Sequence, residues 1–121
     1  MNKQILAVDD SLSMRMLLRA SLSSTGYAVA EAEDGLAALE WLENNVANLV
    51  ITDINMPRLD GFGLIGELRA RDRFRDLPIL VLTTESSEEK KARARAAGAT
   101  GWIVKPFDPD KLAAAVRRVS R

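Results

Sequence analysis

The 121-residue chain contains no cysteine and no histidine. The first absence excludes disulfides, thiol nucleophiles and thiolate metal sites; the second removes the commonest general base and zinc ligand. Any metal held here must therefore sit among oxygen atoms. An excess of one charge is lacking too, because 17 basic residues balance 17 acidic ones. Without a basic surplus the chain offers no electrostatic footprint for DNA or for an anionic membrane surface. No apolar run approaches the roughly 20 residues needed to cross a bilayer, and the opening "MNKQ" has no basic segment leading into a long apolar stretch. The expected location is the cytoplasm.

What is present is an ordinary globular composition, 47% hydrophobic and 28% charged, which argues against disorder. The length suits one domain over residues 1–121 and is too short for a separate output module. Short apolar runs alternate with longer helical patterns. "QILAV" reads as a buried strand, followed by a helix from about Ser11 to Ser24 with Met14, Leu17, Leu18 and Leu22 on one face and Gly26 ending it. "YAVAEA" is a second strand. A helix opens near Asp34, with Leu36, Leu39 and Leu42 at helical spacing. "LVIT" is a third strand, followed by the loop "DINMPRLDG" and a helix from about Phe62 to Ala70. "PILVLT" is a fourth strand, and "SSEEKKARARAAGA" a helix ending at Gly98. "GWIV" is the fifth, leading through "KPFDP" to a last helix with Pro109 in its first turn and Leu112, Val116 and Val119 on its apolar face.

Five strands each followed by a helix predict a single-domain doubly wound α/β fold, since parallel strands need crossover connections. Ligands of such sheets bind beyond the carboxyl ends of the strands. The residues there are Asp9 and Asp10 after the first strand, Asp53 after the third, Thr83 and Thr84 after the fourth, and Lys105 after the fifth. Each alone has an ordinary explanation as a turn, a cap or a solvated side chain. Their conjunction does not. Carboxylates gathered on one edge repel by about 1 kcal/mol per pair at 4 Å in water, and more in a cleft, so a cation must hold them. With oxygen ligands only, a hard divalent ion such as Mg2+ is the natural candidate. A carboxylate beside it can attack phosphorus while a lysine and a hydroxyl steady the phosphoryl oxygens.

The segments "VDD", "DINMPRLDG", "TT" and "KP", in this order, resemble the receiver domains of two-component response regulators over essentially the whole chain. "DDSLSMR", "EAEDGLAAL" and "AAGATGWIVKPF" read in the style of that family's stand-alone chemotaxis members. The resemblance implies a flavodoxin-like five-stranded sheet of order 2-1-3-4-5. It implies that Asp53 accepts a phosphoryl group from a histidine kinase, and that Asp10, Asp53 and the Asn55 carbonyl bind Mg2+ directly, with Asp9 acting mostly through water. Lys105 would pair with the phosphoryl group, and its bond to Pro106 would be cis. Thr83 would turn its hydroxyl to the phosphate, letting Trp102 pack inward and remodel the surface of the fourth helix, fifth strand and fifth helix. Trp102 stands where the family usually has Tyr or Phe. Thr84 replaces a smaller residue and narrows access to the pocket, while Asn55 and Glu85 occupy positions that set phosphoryl lifetime. The expected protein is a monomeric regulator, not an enzyme in its own right, which catalyses only its own phosphotransfer and slow dephosphorylation. Its expected partners are the kinase, a phosphatase and a protein target such as the flagellar motor switch.

Three other readings compete. An FMN binder shares the architecture but needs a phosphate cradle where this chain has two carboxylates. An aspartate-dependent phosphatase generally carries a second Asp as acid/base two residues after its nucleophile, where this chain has Asn55. A phosphorelay intermediate or kinase regulator would share the chemistry and differ only in partner surfaces. Outside the site, Trp41 is expected to pack on its helix, and "EEKKARAR" to form a solvated face with Glu89 and Arg93 at i,i+4 spacing.

Overall fold

Alternation of side chains along each strand fixes how this sheet is covered. In a computed structural model describing residues 3–119, β1 (Gln4–Val8) sends Ile5 and Ala7 to one face and Leu6 and Val8 to the other, all buried. Its neighbours are β2 (Ala28–Ala32) and β3 (Leu49–Thr52), and β4 (Ile79–Thr83) and β5 (Gly101–Val104) complete a parallel sheet of order β2-β1-β3-β4-β5. The three central strands are buried on both faces, as continuous apolar runs require, and β2 and β5 form the borders.

Helices cover both faces. Helices α1 (Leu12–Leu22) and α5 (Pro109–Val119) pack Leu18, Leu22, Leu112 and Val116 against Ile5, Ile51 and Leu80. Helices α2 (Gly35–Asn44), α3 (Gly61–Arg69) and α4 (Glu88–Ala97) cover Leu6, Val50 and Val81 with Leu39, Leu64, Leu68 and Ala94. Four helices start just after a capping residue whose side chain accepts a backbone N–H: Ser11, Asp34, Asp60 and Ser87. Gly26 and Gly98 sit in the left-handed region, at φ 85° and 118°, where a side chain would be strained.

Three expectations need correction. Leu17 is exposed, because α1 buries the i, i+4 pair Leu18 and Leu22 with Met14 only partly covered, and Leu17 lies about 100° round the helix from Leu18. Leu36 is exposed as well, its place on the core side of α2 taken by Ala38. Arg93 does not pair with Glu89. Its guanidinium stacks 4.0 Å from the Phe62 ring centroid, clasping α4 to α3. Trp41, as expected, packs half-buried against the core.

One polar clasp shapes the approach to the site. Asp34 is buried, and its carboxylate accepts from Arg58 Nε at 2.7 Å and Nη2 at 3.0 Å while also capping Ala37. Arg58 adopts a left-handed backbone, φ 67°, and the next residue, Leu59, accepts a hydrogen bond from Gly35 N–H at 3.1 Å. A Cβ on Gly35 would meet the Leu59 carbonyl oxygen at 2.5 Å, so only glycine lets the loop dock there. The Arg58 guanidinium holds the Asp34 carboxyl below the ordinary aspartate value of 3.8. A carboxyl shifted down on folding stabilises the native state above its unfolded pKa, and that contribution is lost as pH falls through the folded value. Asp34→Asn, which keeps the cap, is therefore expected to lower stability at neutral pH, with the gap to wild type closing in acid denaturation below about pH 4. Asp34→Ala removes the cap too and costs about a further 1 kcal/mol, read from urea melts.

Candidate functional site

Strand register builds the site. Val8 of β1 lies beside Thr52 of β3, and Asp53 N–H bonds the Val8 carbonyl at 3.0 Å, so Asp9 and Asp53 emerge side by side from the carboxyl edge of the sheet. Two strands further along, Thr83 pairs with Val104 and its carbonyl accepts from Lys105 N–H at 2.8 Å. The cis bond between Lys105 and Pro106 follows. Gly61 seals the loop behind the site: its N–H bonds the Ile54 carbonyl at 2.8 Å, and a Cβ there would collide with the Asp53 carbonyl.

Lys105 is the centre of the arrangement. Its ammonium donates to Asp9 Oδ2 at 2.8 Å and to Asp53 Oδ2 at 2.9 Å, spanning 96 and 52 residues of sequence. The second oxygens are held by backbone: Ser11 N–H donates to Asp9 Oδ1 at 2.9 Å and Ile54 N–H to Asp53 Oδ1 at 2.6 Å. Burial works against the charged lysine, but hydrogen bonds and attraction from Asp9 and Asp53 outweigh it and raise the Lys105 pKa above its ordinary 10.5. Asp10, exposed, completes a group in which one carboxylate oxygen from each of Asp9, Asp10 and Asp53 lies within 4.8 Å of the others. Three carboxylates around one ammonium leave the pocket negative. That surplus, oxygen-only ligands and an open side at Asp10 suit a hard divalent cation that keeps part of its water.

Thr83 is fully buried at the end of β4, with its hydroxyl oxygen accepting from Glu85 N–H at 3.4 Å. Trp102 is half-buried on β5, and its Nε1–H donates to the Glu85 carbonyl at 3.1 Å. Asn55 is exposed and its amide reaches Glu85 Oε2 at 3.5 Å. Thr84 is exposed beside this loop. Asp9, Asp10, Asp53 and Lys105 thus converge, while Thr83, Trp102 and Asn55 are joined to one another through Glu85.

Two arginines escape the sequence reading. Arg15, one turn into α1, donates to the Asp9 carbonyl at 2.5 Å and to Glu31 Oε1 at 2.9 Å, fixing the main chain that carries the acidic pair. Arg58 braces the loop that carries Asn55. Their contacts depend on which loops meet, and no local pattern announces them.

The site is thus a lysine-bridged cluster of aspartates at the carboxyl edge of a doubly wound parallel sheet. Residues 5–117 match the family model of the response regulator receiver domain, and the chain belongs to that family. It is 42% identical over 111 residues to chemotaxis protein CheY1 of Helicobacter pylori strain J99, covering 90% of each chain. The structure of chemotaxis response regulator CheY4 of Vibrio cholerae superimposes with a TM-score of 0.92 at 42% identity, over 98% of this chain and 99% of that one. The receiver domain of sensor histidine kinase PA1611 from Pseudomonas aeruginosa PAO1, solved with a magnesium ion coordinated in its active-site cleft, gives 0.88 at 29% identity, over 98% and 97%. Among the described residues, no helix is long and apolar enough to cross a membrane.

Proposed function

We propose that this chain is a Mg2+-dependent phosphorylation switch in which Asp53 is the phosphoacceptor. The observation that carries the reading is the Lys105 ammonium shared between Asp9 and Asp53 beside Asp10. Asp10, Asp53 and the Asn55 carbonyl would hold the metal, with Asp9 acting through water. When bound, Mg2+ neutralises the carboxylates and the phosphoryl oxygens. An Asp53 carboxylate oxygen attacks the phosphorus of a kinase phosphohistidine; the new O–P bond forms as the N–P bond breaks, and the leaving imidazole takes up a proton. Lys105 already lies 2.9 Å from Asp53 Oδ2 and balances the charge arriving on the phosphoryl group. Hydrolysis is slow because Asn55 cannot act as the acid/base that a dedicated phosphatase supplies. The protein is thus a regulator that catalyses only its own turnover.

The output follows from the Glu85 loop. Phosphorylation raises the charge at Asp53 from one negative toward two and adds acceptor oxygens. Thr83 satisfies one of them by turning its hydroxyl inward, which loosens its contact with Glu85 N–H and shifts the carbonyl that holds Trp102. The face formed by α4, β5 and α5 changes as Trp102 repacks. A chemotaxis target such as the flagellar motor switch is favoured by the names of the relatives from Helicobacter pylori and Vibrio cholerae. Beryllium fluoride with Mg2+ tests the switch. In a Trp41→Phe background, where Trp102 is the sole indole, the complex is expected to change tryptophan fluorescence, and an unchanged spectrum with metal binding intact would remove the switch. Capture by a flagellar switch peptide, set against capture by a histidine kinase, assigns the target.

A further inference from the structure

Glu85 sets a carboxylate between the loop that follows Asp53 and helix α4. Its Oε2 accepts from Asn55 Nδ2 at 3.5 Å, on the loop that follows Asp53, so a carboxylate stands at the rim of a pocket that must admit an anionic donor. On its other side the same oxygen lies 2.9 Å from Lys90 Nζ. Lys90 is set in the first turn of α4, where its backbone N–H donates to the capping Ser87 hydroxyl at 3.2 Å. The Lys90 ammonium and then the Asn55 amide hold the Glu85 carboxyl below the ordinary glutamate range, against desolvation and, least of all, the Asp53 charge, which push it back up. Glu85 therefore feels both the lysine of α4 and the phosphoacceptor.

We propose that Lys90 is a positioning residue for phosphoryl transfer: it holds and neutralises the Glu85 carboxylate beside Asn55, so that an anionic phosphodonor meets a charge-balanced rim. Exposed ion pairs contribute little to stability, and both side chains here are partly exposed, so the effect falls on the approach of charged ligands and not on folding. The pair also links the donor's entry point to α4. A donor with more negative charge depends on Lys90 more strongly than one with less. This inference rests on Asp53 being the phosphoacceptor.

The test measures phosphorylation rates with Mg2+ by intact mass, using acetyl phosphate and the less negative phosphoramidate. Lys90→Met is expected to slow acetyl phosphate roughly three- to tenfold at low salt, to slow phosphoramidate less, and to lose most of its effect at high salt. Lys90→Arg should retain the wild-type rate. In a Glu85→Gln background, Lys90→Met should change nothing, because no charge is left to neutralise. An unaltered rate in Lys90→Met at low salt, or a loss that persists with Glu85→Gln, overturns the proposal. Failure of the wild type to take up phosphoryl from either donor would instead overturn the phosphoacceptor reading beneath it.

Discussion

Asp53→Asn is expected to abolish phosphoryl uptake while leaving the fold in place. The amide is nearly isosteric and retains an oxygen for the Ile54 N–H, which bonds Asp53 Oδ1 at 2.6 Å in the wild type. Its nitrogen is no nucleophile toward phosphorus and its oxygen no longer carries the charge that attack requires. With Asp53 as the proposed acceptor the reactive oxygen would come from this residue alone, so the loss should be complete within detection. Intact mass after incubation with acetyl phosphate and Mg2+ should show one added phosphoryl group on the wild type and none on the variant. Beryllium fluoride should also fail to alter Trp102 fluorescence, because it needs the same carboxylate oxygen. Thermal stability should move little: Lys105 keeps Asp9 at 2.8 Å, and one of three mutually repelling carboxylates has gone. Uptake by the variant at the wild-type rate would place the acceptor elsewhere.

Lys105→Met is expected to have the largest effect on stability. The ammonium is largely covered and lies between two carboxylates, that of Asp9, which is buried, and that of Asp53, which is partly buried. Removing one partner from a buried ionic cluster leaves uncompensated charge, at a cost of about 3 kcal/mol, or roughly 10 °C in Tm, in metal-free buffer. Added Mg2+ should restore much of this. A ligand binding only the folded state at a hundredfold excess over its Kd contributes about 2.7 kcal/mol, and removing the competing lysine should tighten the site. The variant should therefore show a larger Mg2+-induced rise in Tm than wild type. Because the Lys105 pKa is raised on folding, its contribution is complete below the unfolded value and is lost only as pH climbs through the folded one. The stability difference between wild type and variant should accordingly be flat from about pH 6 to 9. Phosphoryl uptake should fall together with the loss of its charge partner. Equal melting of both proteins without Mg2+ would show that Lys105 does not bridge the acidic pair.

Where apolar runs sit between polar residues, the sequence alone places the elements well. Leu49–Thr52 and Gly101–Val104 fall where periodicity and β-branched content put them. Helix starts shift by a residue or two: Ser11, Asp34 and Ser87 signal a helix by capping it from outside, whereas α3 opens at Gly61, one residue before the expected Phe62. Leu17 and Leu36 mislead because short helices bury a narrow stripe, and a leucine one step off that stripe looks the same in a periodic pattern. The convergence of Asp9, Asp10, Asp53 and Lys105 is legible because parallel α/β sheets bring strand ends together. The charges outside that rule are not. Arg58 reaches Asp34, Arg15 reaches the Asp9 carbonyl and Lys90 reaches Glu85 only once loops and helix ends have docked. In the sequence each is one more basic residue on a polar stretch.

Paramagnetic relaxation with Mn2+ in place of Mg2+ tests the central claim most directly, through the amide resonances of the 15N-labelled protein. Selective broadening of residues 9–11 and 53–55, displaced by excess Mg2+ and lost from residues 53–55 in Asp10→Ala, is the predicted result. Broadening spread over the acidic surface, or confined to one of the two loops, would contradict it.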